Sequence, residues 1–434
     1  MARIEAKGVK DETERRPEMI RIRYSSVHFL PVLLAVIALA AATTAVASPE
    51  EAPIVLERAK ILASEGSQED RLGNAVALEG DWLAVGAHTA GILHLTNKEG
   101  SVYLFRRDAG EWVEFARLTA SDGGQRDYFG EDVAISGDLV VVGAPMRDSN
   151  GHLQPNGENE IGAAYVFEQG VEIAKLEPSD GVRDNLFGVA VALDGETIVV
   201  GAERGSGAAY IFERDPGSGE WLETQKLEIA VNPESFDGFG NALALDGDTL
   251  VVGADARDVA GDPWAGAVYI FERQAGGAWE LSDVLTTTAS SRLGRDVALD
   301  GDTLLIGANG EALIFERAPG GDWHPVAKLA PEPQIYGDFG ESVDLAGDLA
   351  VVGAASSFDW FGAVAVFRRD AGGPDGWGQI AELAASDGER IDFLGEDVAI
   401  DGLTIVAGAT GDDDQCSEPT DLCESGAAYV YGRE

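Results

Sequence analysis

Carboxylates and amides gather in two stretches of the chain where they could hold a hard cation. Asp148, Asn150, Asn156, Glu158 and Glu160 fall between Pro145 and Ile161, and Asp412, Asp413 and Asp414 stand in a row between Thr410 and Ser425. Oxygen ligands of this kind suit calcium, which takes about six to eight of them, although neither stretch has the order of an EF-hand loop. Asp412, Asp413, Asp414, Asp148, Asn150 and Glu158 are therefore the metal candidates, weighed against the plainer reading of solvated acidic loops. Cys416 and Cys423, the two cysteines of the chain, lie just beyond the three aspartates. In an oxidising compartment they are expected to form a local disulfide that holds those carboxylates in place. A second set of residues offers contact rather than ligation: Trp264 after Asp262-Pro263, and Phe358, Trp360 and Phe361 around Asp359. Exposed aromatics serve as protein or sugar contacts, and packing of each loop onto its own framework is the competing reading.

Catalysis would need a nucleophile with a base, a metal set or two opposed carboxylates. His88, His94, His152 and His324 are scattered, and no H-E-x-x-H, G-x-S-x-G or phosphate-cradling G-x-x-x-x-G-K-[ST] occurs. No catalytic residue is assigned, and an enzyme is not expected. The formal charge of −45 excludes nucleic acid as a principal partner, because such binding rests on clustered Lys and Arg.

The elements that position these residues are set by an internal repeat. An aromatic residue or Leu followed by Gly recurs at Leu72-Gly73, Phe129-Gly130, Phe187-Gly188, Phe239-Gly240, Leu293-Gly294, Phe339-Gly340 and Leu394-Gly395. Each is followed, 13 positions on, by the Gly of a Gly-Ala pair: Gly86, Gly143, Gly201, Gly253, Gly307, Gly353 and Gly408. Between the two glycines lie a short apolar run, a turn such as Asp194-Gly195 and a β-branched run such as Thr197 to Val200. That pattern reads as a tight hairpin. Tyr-rich segments such as Ala209-Tyr210-Ile211-Phe212 supply a third strand, and segments from a Trp to a Leu, such as Trp221 to Leu227, supply a fourth. The second strand is apolar on both faces, as it must be when each sheet is sandwiched between two others. Seven four-stranded antiparallel units arranged radially make an all-β, seven-bladed β-propeller. The last unit lacks its fourth strand at the C-terminus, and Ile54 to Leu62 is expected to supply it and close the ring, removing two free sheet edges.

Within this scheme the Phe of each Phe-Gly is expected to wedge between blades. The recurring Trp112, Trp221, Trp279, Trp323 and Trp377 are expected to pack at strand ends. Turn carboxylates such as Asp246 are read as turn formers that bond their own backbone. Glu131-Asp132, Arg295-Asp296, Glu341 and Glu396-Asp397 follow the Phe-Gly pairs and are expected to ring the axial channel. The loops between second and third strands vary from 6 to 22 residues in spacing, whereas the hairpin turns on the opposite face are uniform. Recognition is expected on the variable face.

The alternation of Phe-Gly with Gly-Ala-Pro, complete at Phe129-Gly130 and Gly143-Ala144-Pro145, resembles the FG-GAP repeat of integrin α-subunit propellers and of exported bacterial FG-GAP proteins. The resemblance covers residues 54–434 and implies an adhesion or interaction scaffold. The acidic calcium loop that integrins insert between the first two strands does not fit the seven equally short intervals, so the resemblance does not carry calcium to that place. Some propellers cleave carbohydrates with carboxylates near the axis, so a carbohydrate-active hydrolase or lyase is the alternative function.

Residues 1–47 read as a signal peptide: Arg21 and Arg23 precede an apolar run from Phe29 to Ala42, with Ala45-Val46-Ala47 before Ser48. An uncleaved anchor is the other reading of this segment. Residues 48–434 then form the propeller, secreted, periplasmic or at the cell surface. It is expected to be a monomer that binds an extracellular protein or glycan, with no membrane contact after cleavage.

Overall fold

The computed structural model describes residues 55–66, 70–89, 99–124, 126–147, 161–181, 185–205, 207–229, 236–287, 291–331, 338–373, 376–414 and 424–433, without the side chains of Phe358 and Asp359. Each Asp-Gly hairpin forms as its sequence predicts. In the third unit Val191–Asp194 pairs with Thr197–Ala202, the register closing at Asp194 against Thr197, and Gly195 supplies the positive φ, 54°, that the turn requires. Ala208–Arg214 and Trp221–Leu227 add the third and fourth strands.

Seven such four-stranded sheets form, all antiparallel, from residues 76–118, 133–176, 191–227, 239–286, 297–329, 343–383 and 398–433. We number them blades 1 to 7. Blade 7 is completed from the other end of the chain: Val55–Ile61 pairs with Ala427–Arg433, running from Val55 against Arg433 to Ile61 against Ala428. The helix among the described residues is the single turn Ser357–Trp360.

The core lies between blades. Leu139, Val141 and Val166 of blade 2 meet Phe187, Ile198, Tyr210 and Phe212 of blade 3 in one buried cluster. At the ring junction Ile61 and Val430 meet Leu72, Leu83 and Tyr103 in the same way. Central strands such as Leu139–Ala144 are buried at every position, and burial of each such Val or Leu is worth about 1.5–3 kcal/mol. The aromatic of each Phe-Gly is the wedge the sequence predicts: Phe129, Phe187 and Phe239 are fully buried, and Phe129 sits edge-on to Tyr165 and Phe167.

Both glycines of the repeat have a steric cause. The Phe-Gly glycines hold φ near +90°, as at Gly130 and Gly240, where a side chain is strained. The Gly-Ala glycine makes room for the next blade: a Cβ on Gly143 would stand 2.0 Å from the carbonyl oxygen of Gly188, and one on Gly408 would stand 1.8 Å from that of Gly73. The repeat is therefore a backbone interlock carried around the ring.

The turn carboxylates do something other than the sequence reading assigned to them. Rather than bonding their own backbone, they accept the turn N–H of the next blade. Glu79 takes Gly137 N, Asp194 takes Gly247 N, Asp246 takes Gly301 N, Asp300 takes Gly347 N and Asp401 takes Gly80 N, at 2.6–2.8 Å. Ser136 does the same for Gly195. The seventh position is Ala346, which has no acceptor to offer Gly402. A neighbouring blade could not be foreseen from a turn read in isolation.

Candidate functional site

The first strands of the blades, with the residues that lead into them, line an axial cavity of about 470 Å³. The residues after each Phe-Gly face it, and Glu131, Asp132, Arg295, Asp296, Glu341, Glu396 and Asp397 ring the channel as the sequence predicts. Asp344, two positions deeper, joins them. It escaped the sequence reading because Ala occupies the matching position in the other six blades.

The aspartates of this ring are staples. Asp132 accepts the N–H of its own Val133 and of Val191 on the next blade. Asp296 bridges Val297 to Val343, and Asp344 bridges Leu345 to Ile400. At the ring junction Asp397 accepts Val398 N at 2.9 Å, Ser342 Oγ at 2.8 Å and Val76 N at 2.6 Å. Innermost strands have N–H groups with no further strand to pair with, and these carboxylates satisfy them. Asn74 and Asn241 serve the same end by donating to carbonyls of the following blade, Gly130 and Glu131 in one case, Gly294 and Arg295 in the other.

So many carboxyls in one channel titrate abnormally. Burial, reinforced by the charge of Asp397, raises Asp132 to about 7. Burial also raises Asp344 to about 7, Asp397 to about 6, and Asp296 well above the usual range. At the mouth on the variable-loop side, burial together with Glu203 and Glu396 lifts Glu131 to about 7, and burial with Glu341 lifts Glu396 to about 7. Glu341 pairs with Arg295 of the preceding blade. His88 Nδ1 lies 3.8 Å from Glu131 Oε2, and burial beside Arg71 lowers its pKa to about 4, so the imidazole is neutral at pH 7. The mouth thus offers Glu131 and Glu396 as groups poised near neutrality, above a staple ring whose oxygens are already engaged.

The variable face carries the aromatic candidates. Trp264 is 49% exposed, Trp360 45% and Phe361 41%. Each loop leans on the lead-in to the next blade: Arg292 N donates to Trp264 O and its guanidinium lies over the indole, while Trp360 stands edge-on to Phe393. Packing and exposure therefore coexist, and the free ring surface remains large. Blade 5 lies between the two loops and has the shortest connection, Asn309-Gly310 between its second and third strands, so the two aromatic loops flank a blade whose own loop is minimal. Phe236, 47% exposed on the link into blade 4, belongs to the same face; the matching position ahead of blade 6 is also aromatic, Tyr336, a recurrence that could have marked it.

Asp412 and Asp414 are brought together with Asp387 around the ammonium of Lys60, at 2.7, 2.5 and 3.0 Å. Tyr429 Oη donates to Asp412 and Asp387. The same trio recurs as Asp122 with Lys175 and Tyr165, and as Asp180 with Lys226 and Tyr210. Asp413 is raised by burial and by its two neighbours. Among the described residues no group of three His, Cys, Asp or Glu side chains is arranged to hold a metal ion. Asp148, Asn150, Glu158, Cys416 and Cys423 lie outside the described residues, as do the signal segment and the side chain of Phe358.

A family model of the FG-GAP repeat matches residues 55–105, 112–167, 171–212, 221–271 and 377–431. No curated protein matches the chain. Among solved structures the chain is similar to the computationally designed Ika8 protein, at 14% identity and a TM-score of 0.48, covering 86% of this chain and 99% of that one.

Proposed function

The chain belongs to the FG-GAP repeat family, and from that premise we propose that it is an exported, non-catalytic scaffold that binds an extracellular protein or glycan on its variable loop face. The observation that carries this reading is the contrast between the two faces. Hairpin turns of uniform length, bonded one to the next, occupy one face, and individual loops bearing half-exposed Trp264, Trp360 and Phe361 occupy the other. Large amphipathic side chains with free ring surface are the groups that dominate binding energy at interfaces. The minimal loop of blade 5 between the two aromatic loops suits an extended ligand that touches both.

The test is capture on glycan and extracellular-protein arrays by the intact protein, by a Trp264→Ala, Trp360→Ala, Phe361→Ala variant, and by a variant with the loop from Pro145 to Ile161 shortened. The expected result is loss of the captured ligand in the aromatic variant with an unchanged melt. Equal capture by all three proteins would remove the loop face from consideration.

A second reading, carbohydrate hydrolysis or elimination at the axial mouth, has one observation in its favour: Glu131 and Glu396 are both lifted to about 7, where a carboxyl can act as an acid. Turnover of an acidic or neutral polysaccharide that disappears in Glu131→Gln and Glu396→Gln would replace the binding role with this one.

A further inference from the structure

On the outer rim of the hairpin face, arginines close each of blades 3 to 6 onto the one before it. The third strand ends in Phe-Glu-Arg in blades 3, 4 and 5, and the Arg of one blade reaches the Glu of the preceding blade. Arg273 pairs with Glu213, Arg317 with Glu272 at 2.8 Å, Arg369 with Glu316, and Arg214 with Glu168 at 3.9 Å. The guanidinium is steadied in two ways. It bonds the first Thr of the preceding blade's second strand, as Arg369 does to Thr303, and it lies over the Trp that opens its own fourth strand, as Arg317 does over Trp323.

At the ring junction this arrangement is present with one part missing. Arg107 of blade 1 bonds Thr404 of blade 7 at 3.1 Å and lies over Trp112 with its guanidinium carbon 4.6 Å from the ring centroid. The position that carries the partner carboxylate in blades 2 to 5 is Gly432 here. Where the Glu side chain would stand there is a cavity of about 640 Å³ lined by Arg58, Arg107, Glu111, Trp112, Leu403 and Gly432, with Arg433 at its rim. Among the described residues none of Arg58, Arg107 and Arg433 has a carboxylate within ion-pair distance. In a chain of net charge −45, three guanidiniums with no carboxylate partner among the described residues around one cavity stand out, because elsewhere the excess acid finds every rim arginine of this repeat from blade 3 to blade 6.

We propose that this cavity is a binding site for a carboxylate-bearing small molecule of about the size of a sugar acid, the ligand's carboxylate taking the place that glutamate holds at four of the six other junctions. The fork of Arg107 is already oriented by Thr404 and Trp112, so a planar carboxylate meets a preformed partner. Arg58 and Arg433 add charge at the opening, and the indole edge and Leu403 supply apolar wall. The site lies on the face opposite the one proposed for recognition and stands or falls independently of it.

Titration calorimetry of the full chain with sodium glucuronate, and with sodium sulfate in a parallel arm, tests the proposal. Gly432→Glu restores the internal carboxylate; Gly432 does not need a positive φ, and its Cβ would meet Arg58 Cγ and Leu403 O at an ordinary 3.7 Å. The expected result is glucuronate binding by the intact protein, weakened at least tenfold in both Gly432→Glu and Arg107→Gln, with the Gly432→Glu protein melting no lower than the parent. Glucuronate heat that is absent, matched by sulfate alone, or equal in all three proteins would overturn the site.

Discussion

Replacing Asp397 with Ala separates the two roles of a channel carboxylate. The side chain accepts Val76 N across the ring junction, Val398 N and Ser342 Oγ. Val398 N keeps Ser342 Oγ as an acceptor after the change, so the losses are an orphaned N–H at Val76 and the acceptor of the Ser342 hydroxyl, which is free to rotate. An unsatisfied buried donor costs about 1–3 kcal/mol. Against this, removal of Asp397 relieves Asp132, Asp296 and Asp344, each of which its charge helps to raise. A carboxyl whose folded pKa lies above its unfolded value binds protons more tightly when folded, so its contribution to stability declines as pH rises from the unfolded value, near 3.8, through the folded one, about 6 for Asp397. At pH 5 the lost hydrogen bond dominates and the variant should be about 2 kcal/mol less stable. With an unfolding entropy of about 0.8 kcal/mol/K for a ring of this size, that is a fall in Tm of about 2–3 °C. At pH 8, where Asp397 is ionised beside its neighbours, the deficit should shrink or vanish. Calorimetric melts of both proteins at the two pH values decide the matter. A deficit that grows from pH 5 to pH 8 would refute the reasoning.

Other consequences follow from the same contacts. Ala346→Asp supplies the one missing acceptor in the ring of turn bonds, opposite Gly402, and should raise Tm by about 1 °C, one exposed hydrogen bond being worth about 0.5–1.5 kcal/mol; chemical denaturation would read the same gain as a higher midpoint at unchanged slope. Lys60→Met leaves the buried Asp412 facing Asp387 and Asp414 with no cation and should cost about 3–5 kcal/mol at pH 7. Because Asp387 is held below the usual carboxylate range, by Tyr429 and Lys60 against the opposing effect of burial, that cost should diminish as pH falls through its titration and the carboxylates take up protons. Gly408→Ala drives a Cβ to within 1.8 Å of Gly73 O and should prevent accumulation of folded protein, measured as soluble yield beside the neutral control Gly402→Asn in an open turn.

The architecture was legible because its cause is local and repeated. Glycines that interlock backbones must be glycine in every blade, and a strand covered on both faces must be apolar throughout, so Gly143, Gly408 and runs like Leu139 to Val142 announced the ring and its count of blades. The closing strand was legible by subtraction, from a unit that ends at its third strand. What stayed hidden are pairings between blades some 50 residues apart in sequence. Asp246 looks the same whether it bonds its own turn or Gly301, and the buried partnership of Lys60 with Asp412 joins the two ends of the chain. Asp344 was passed over because it breaks the repeat where six blades have Ala. The repeat does show the vacancy at Gly432, but only once the blades have been superposed and Arg107 is seen with its Thr and Trp in place. For Asp148, Asn150, Glu158 and the two cysteines the sequence reading stands by itself.

A thermal melt of the chain lacking residues 48–62, beside the intact protein, tests the closed ring most directly, since both faces and the junction cavity depend on it. Loss of the paired strand Val55–Ile61, of buried Ile61 and of Lys60 removes roughly 8 kcal/mol of hydrogen bonds, apolar burial and charge compensation. The account predicts a Tm lower by about 10 °C or more, with an exposed sheet edge that promotes association. A melt that superimposes on that of the intact protein would contradict it.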